Sequence, residues 1–178
     1  VNTLTSQFYV WSDTMNSRPR VYLAGPIAGL SYSEVMTWRH TAQSILGEHG
    51  IDVIMPVVYP HEGTYPMLAK DMKVDSLAVF HADLFGVAEC DAVLAGFPLG
   101  NMASVGTAFE AGAAFAYRVP VYIWCPDVEN LHPFLVHGAT GGSTDLNNTV
   151  MAVVQYFTRR NNNERQLPLD LEFLGARA

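Results

Sequence analysis

From Ala92 to Tyr117 the chain carries a single charge, that of Glu110. A stretch this apolar has to be covered on more than one side. Ala92–Gly96 (AVLAG) has no polar member, which fits a central parallel strand rather than one with a wetted face. After a Gly/Pro loop over Phe97–Ala103, the run Ser104-Val-Gly-Thr-Ala-Phe-Glu-Ala-Gly-Ala-Ala-Phe-Ala is expected to form a small-residue helix, capped by Ser104 and laid on that sheet. Two readings of Glu110 then stand side by side. It is a surface acid on a solvated helix face, or it is a buried carboxylate, which is costly unless paired, hydrogen-bonded or put to use.

The rest of the chain repeats the alternation of short apolar runs with helical ones. Arg20–Ala24 (RVYLA), Ile51–Met55 and Val119–Trp124 are predicted strands, with a weak fifth near Phe134–Ala139. Helices are expected from Ser31 or Ser33 to Glu48, from Met67 to Ala88 with a break near His81, and from Asp145 to Thr158. Ser31 and Glu34 form a possible capping box, and Val35, Trp38, Ala42, Ile45 and Leu46 make a buried stripe behind it. This pattern predicts an α/β, Rossmann-like or flavodoxin-like three-layer fold with a roughly five-stranded parallel sheet. The expected division is an N-terminal arm (1–19), one main α/β domain (20–158) and a C-terminal tail (159–178). In such sheets ligands bind outside the carboxyl ends of the strands, so the ends of Arg20–Ala24 and Ala92–Gly96 mark the place to look.

Composition removes several function classes. Ten Lys plus Arg against 17 Asp plus Glu give a net charge of −7, and no basic cluster exceeds Arg159-Arg160. Binding to duplex nucleic acid needs a phosphate-neutralising surface that this chain lacks. No apolar run reaches the length of a membrane span. Val1–Trp11 has neither the basic start nor the long apolar stretch of a secretory signal. Cys90 and Cys125 belong to no CxxC pair and flank predicted strands, so they are expected as buried free thiols in a reducing cytoplasm. There is no P-loop, and Gly96, Gly100 and Gly106 do not make the dinucleotide fingerprint. His132 and His137 stand five apart in a predicted loop, and His61-Glu62 is no HExxH, so no metal site is expected. His137 remains a candidate to approach the pocket.

Three segments carry a resemblance: Tyr22-Leu-Ala-Gly-Pro26, Asp83-Leu-Phe-Gly-Val-Ala-Glu-Cys-Asp91, and Ser104-Val-Gly-Thr-Ala-Phe-Glu110-Ala-Gly. Together, in this order and spacing, they are similar to the nucleoside 2-deoxyribosyltransferase family, which also includes hydrolases of deoxynucleoside 5'-monophosphates. The resemblance implies that Glu110 is the nucleophile on the anomeric carbon, that Tyr22 hydrogen-bonds it, and that Asp83 handles the proton of the leaving base. It implies that Ser104 contacts the 5' end of the sugar. Gly25, Pro26, Gly106 and Asp91 are further substrate-binding candidates, each with a structural alternative. Gly25 and Pro26 shape a turn, Gly106 and Gly112 allow close helix–sheet packing, and Asp91 competes with Asp83 or ties down a loop.

The chemistry of the residues agrees with that implication. Breaking an N-glycosidic bond passes through an oxocarbenium-like state that a carboxylate can stabilise or trap. The base leaves more readily when a second carboxyl group protonates it. No organic or metal cofactor is needed. In the family, an Asp at the position of Ser104 goes with free nucleosides and a Ser with monophosphates, which favours a nucleotide; the absence of a basic residue between Ile27 and Ser33 favours a nucleoside. Transfer to another base, hydrolysis, and a non-catalytic nucleotide-binding module are the three functional readings. Tyr59, Tyr65 and Phe97 are candidates to stack on a base. The family often completes its pocket from a neighbouring subunit, and the apolar helix faces here suggest a homo-oligomer.

Overall fold

Val21 to Ala24 are all fully buried, and they alternate sides as a strand must. Val21 and Leu23 pack with Trp38, Ala42, Leu46 and Phe157, whereas Tyr22 and Ala24 pack with Val87, Ala111 and Ala114. These four residues lie in β1 (Arg20–Ala24). It is flanked by β2 (Asp52–Ile54) and β3 (Ala92–Gly96); β4 (Val121–Trp124) and β5 (Gly141–Ser143) complete a parallel sheet of order β2-β1-β3-β4-β5. Helices α1 (Tyr32–Glu48) and α5 (Leu146–Asn161) cover one face. Helices α2 (Ser76–Ala88) and α3 (Val105–Ala116), with the short α4 (Pro133–Gly138), cover the other. This is the flavodoxin-like order, and its switch point lies between β1 and β3. The computed structural model describes residues 18–56, 58, 62–67, 71–72, 74–98 and 104–162.

The three-layer α/β architecture expected from the sequence is the one observed. β3 is wholly buried, as its composition demanded. The Ser31 side chain and the Glu34 side chain satisfy each other's backbone in a full capping box at the start of α1. Ser104 caps α3 by accepting from the Thr107 N–H. Both cysteines are buried free thiols. Among the described residues no helix is long and apolar enough to cross a membrane.

β2 and β4 are shorter than the expected Ile51–Met55 and Val119–Trp124, and three further elements differ from expectation. The second helix starts at Ser76 rather than Met67, because Asp75 accepts from the Leu77 and Ala78 N–H groups and so provides the cap; it then runs unbroken through His81. The fifth strand is not at Phe134–Ala139. Pro133 in the first turn and the His132 ring accepting from the Phe134 N–H make that segment helical, and the Gly141–Ser143 edge strand follows it. The last helix passes the expected end at Thr158 and reaches Asn161. Most of the expected arm (1–17), most of the expected tail (163–178) and Tyr59 lie outside the described residues.

Candidate active site

Tyr22 points from β1 toward the α2/α3 layer, and its hydroxyl donates to Glu110 Oε1 at 2.7 Å. Glu110 is therefore half-buried and hydrogen-bonded, between the two alternatives: its carboxyl is turned to Tyr22 while part of the residue stays accessible. Burial pushes its carboxyl up to about 7; the Tyr22 hydrogen bond pulls it down, nearby Asp83 pushes it up again, and Arg39 pulls it down. Burial drives the Tyr22 phenol far above the usual tyrosine range, and the charges of Glu110 and Asp83 add to this. Tyr22 is thus a fixed hydrogen-bond donor, not an acid.

Glu110 opens onto a cleft of about 300 Å³. The turn after β1 supplies Gly25, Ile27 and Ala28, and the long loop supplies Tyr65, Pro66 and Met67. Asp83 comes from α2, and Ser104, Gly106 and Thr107 come from the first turns of α3. The site thus sits at the carboxyl ends of β1 and β3, at the switch point. A larger cavity of about 660 Å³ lies between α3, β4 and α4. Its wall is almost entirely apolar and contains neither acid, so the smaller cleft, where polar groups converge and a carboxyl is perturbed, is the candidate site.

The structure brings together Tyr22, Asp83 and Glu110 from three separate elements and lines the same cleft with Gly25, Ser104 and Gly106. It does not bring Asp91. That residue precedes β3 at the opposite edge of the sheet, where it accepts from the Arg20 N–H at 3.0 Å and pairs with Arg160 at 3.1 Å. Asp91 is a tie between β1, β3 and α5, which is the structural alternative. Pro26 is buried but is not part of the cleft wall. Phe97 is in the core and is unavailable for stacking, whereas Tyr65 lines the cleft. His137 lines the larger cavity instead.

Glycine roles also shift. A Cβ at Gly25 would lie 2.7 Å from the Trp38 ring and 2.9 Å from the Arg39 guanidinium, so close packing rather than turn geometry requires glycine there. A Cβ at Gly106 would meet nothing closer than 3.7 Å and one at Gly112 nothing within 4 Å, so helix–sheet packing explains neither. The glycine that matters on this face is Gly86, where a Cβ would stand 3.0 Å from the Tyr22 ring. Gly86 lies inside the Asp83–Asp91 segment, and a glycine in a helix interior was the available signal. Arg39 was missed too, although its spacing from Val35 and Ala42 placed a charge in the buried stripe of α1.

Among the described residues no three His, Cys, Asp or Glu side chains gather as metal ligands. A family model described as nucleoside 2-deoxyribosyltransferase matches residues 21–169. The fold is similar to that of a 2-deoxyribosyltransferase from Bacillus psychrosaccharolyticus, with a TM-score of 0.57 and 22% identity over 76% of this chain and 95% of that one. It is also similar to a molybdenum cofactor binding protein from Rippkaea orientalis, with a TM-score of 0.52 and 13% identity over 80% of this chain and 99% of that one. At such identities the likeness concerns the fold. No curated protein matches the chain at a significant level.

Proposed function

The chain belongs to the nucleoside 2-deoxyribosyltransferase family, and from that premise we propose that it cleaves the N-glycosidic bond of a 2'-deoxyribonucleoside or its 5'-monophosphate and passes the deoxyribosyl group to another nucleobase. The observation that carries this reading is the hydrogen bond from Tyr22 to Glu110 beside Asp83 in one cleft. A fold shared with a cofactor-binding protein carries no chemistry by itself, and this reading rests on the site instead. A binding module has no need of a carboxyl that partial burial raises to about 7 and that a phenol hydrogen-bonds.

In the proposed reaction a Glu110 carboxylate oxygen bonds to the anomeric carbon as the carbon–nitrogen bond breaks. The electron pair goes to the base nitrogen, and Asp83 supplies a proton to the departing base. A second base then attacks the same carbon, loses its proton to Asp83, and releases Glu110 as carboxylate. Tyr22 holds one Glu110 oxygen throughout, which leaves the other free to attack. Glu110, Asp83 and Tyr22 are the protein groups that this reaction uses.

A second reading, hydrolysis of a deoxynucleoside 5'-monophosphate, is favoured by Ser104. It brings no negative charge to the α3 end of the cleft, where an anion is welcome. Against it, no Lys or Arg side chain lines the cleft among the described residues. We also place a second copy of the chain on the exposed apolar face of α2 and α3, and the protein in the cytoplasm, where its two free thiols persist.

The deciding experiment incubates the protein with each deoxynucleoside and each 5'-monophosphate, with and without an acceptor base, and separates the products by chromatography. New nucleoside formed only with acceptor supports transfer, and free base without acceptor supports hydrolysis. Glu110→Ala should abolish both while leaving the fold intact. A Glu110→Ala protein that turns over at the wild-type rate removes the mechanism.

A further inference from the structure

Arg39 lies on the sheet-facing stripe of α1 with none of its surface exposed. Among the described residues no carboxylate forms an ion pair with it. Its guanidinium donates instead to three main-chain carbonyls: Nε to Leu23 O at 3.3 Å, Nη1 to Val35 O at 2.6 Å and Nη2 to Gly25 O at 2.8 Å. The same group lies 4.6 Å from the Trp38 ring centroid. Carbonyl dipoles and an aromatic face go some way to replacing water around a cation. A dry guanidinium is nonetheless expensive to keep when its charge has no use.

Its position suggests the use. Leu23 and Gly25 bracket the carboxyl end of β1, and Gly25 forms one wall of the cleft with Ile27 and Ala28. Arg39 thus grips the backbone of that wall from behind, and any side chain at position 25 would break the grip. Burial lowers the guanidinium to about 10, while Glu110, Tyr22, Asp83 and Tyr65 each act to keep it charged. The influence is reciprocal, since Arg39 favours the ionised form of Glu110. The groups that act on Glu110 are therefore Tyr22 from β1, Asp83 from α2 and Arg39 from α1. His132 and His137 line the other cavity.

We propose that Arg39 is a positioning residue of this site: it fixes the turn after β1 against the cleft and supplies the buried positive charge that balances Asp83 and Glu110. The proposal rests on the glycosyl-transfer reading only for its kinetic readout. Accordingly, Glu110 is titrated without substrate, by 13C NMR of carboxyl-labelled glutamate in wild type, Arg39→Gln and Arg39→Lys. Profiles of kcat/KM against pH follow with whichever deoxynucleoside the wild type turns over best. In Arg39→Gln the Glu110 midpoint should rise measurably, because an opposite charge has been removed, and the acid limb of the rate should move with it. Arg39→Lys should restore the midpoint, because charge is kept, yet raise KM several-fold, because a single ammonium cannot span three carbonyls. A folded Arg39→Gln with an unmoved midpoint overturns the proposal. So does failure of both variants to fold, which would make Arg39 a core residue and nothing more. A wild type that turns over no donor sinks the transfer reading and leaves the NMR titration to judge Arg39 alone.

Discussion

The Tyr22 hydroxyl and Glu110 Oε1 stand 2.7 Å apart although 88 positions separate them in the chain. One comes from the middle of the second-position strand β1, the other from the second turn of α3. The bond is short and charge-assisted when Glu110 is ionised. It fixes the carboxylate rotamer and lowers the cost of its negative charge in a partly buried setting.

Tyr22→Phe should therefore fold normally and lose activity. A hydrogen bond to a charged group is worth about 1.5–3 kcal/mol, which corresponds to a loss of about 10- to 150-fold in kcat/KM. Because this bond lowers the Glu110 carboxyl, its removal also moves the acid limb of the rate upward. Steady-state kinetics across pH checks both, and an unchanged profile would show that the phenol does not act on the carboxylate.

The wild-type rate should depend on a group titrating near neutrality. Glu110 has to be ionised to attack, and burial holds it at about 7. Below that pH kcat/KM should fall about tenfold per unit, and above it level off.

The same carboxyl makes the active protein less stable than it need be. Unfolded, Glu110 titrates at the ordinary carboxyl value of 4.5; folded, it titrates at about 7, because burial raises it. Its contribution is favourable below the unfolded value, where both states are protonated, and is lost as pH rises through the folded value. Glu110→Gln, which keeps an oxygen for Tyr22 to bond, should thus be more stable than wild type at pH 8 by about 1–3 kcal/mol and nearly equal to it at pH 4. Thermal melts at the two pH values measure this, and an equal effect at both would contradict it.

Gly86→Ala tests the packing behind Tyr22. The added methyl would come within 3.0 Å of the Tyr22 ring, so the phenol has to shift. Small displacements of a reacting group are expensive, and a loss of about tenfold or more in kcat is expected. Combined with Tyr22→Phe it should add little, since both act through one bond. Full additivity in the double variant would argue that Gly86 acts elsewhere.

Leu77, Phe80, Phe85 and Phe109 are all exposed on α2 and α3, and the rings of Phe80 and Phe109 lie 5.6 Å apart as an apolar patch between the two helices. Such patches on soluble proteins mark interaction surfaces. Phe85→Glu with Phe109→Glu should shift sedimentation from an oligomer toward a monomer. A wild type that sediments as a monomer at every concentration would count against a second copy on this face.

Much of the fold was legible because local chemistry and tertiary need coincide. AVLAG is wholly apolar and became the central strand; Ser31 with Glu34, and Ser104, are caps by composition and became caps in fact. The fifth strand was not legible, since Gly141–Ser143 has no strand propensity and exists only because β4 offers it an edge to pair with.

For the site, the sequence by itself established which residue types the chemistry needs and that a lone acid sits among small apolar neighbours. It left open whether Glu110 faces water or the sheet, and whether Asp83 or Asp91 joins it. Tertiary structure decided both, because which edge of a parallel sheet an acid occupies depends on strand direction and register rather than on its neighbours in the chain. Asp91 lies at the amino edge bound to Arg20 and Arg160, and Asp83 lies at the carboxyl edge beside Glu110. Arg39 reads locally as one more helix residue. Only the close approach of α1 to Leu23 and Gly25, permitted by a glycine at position 25, buries its charge behind the cleft.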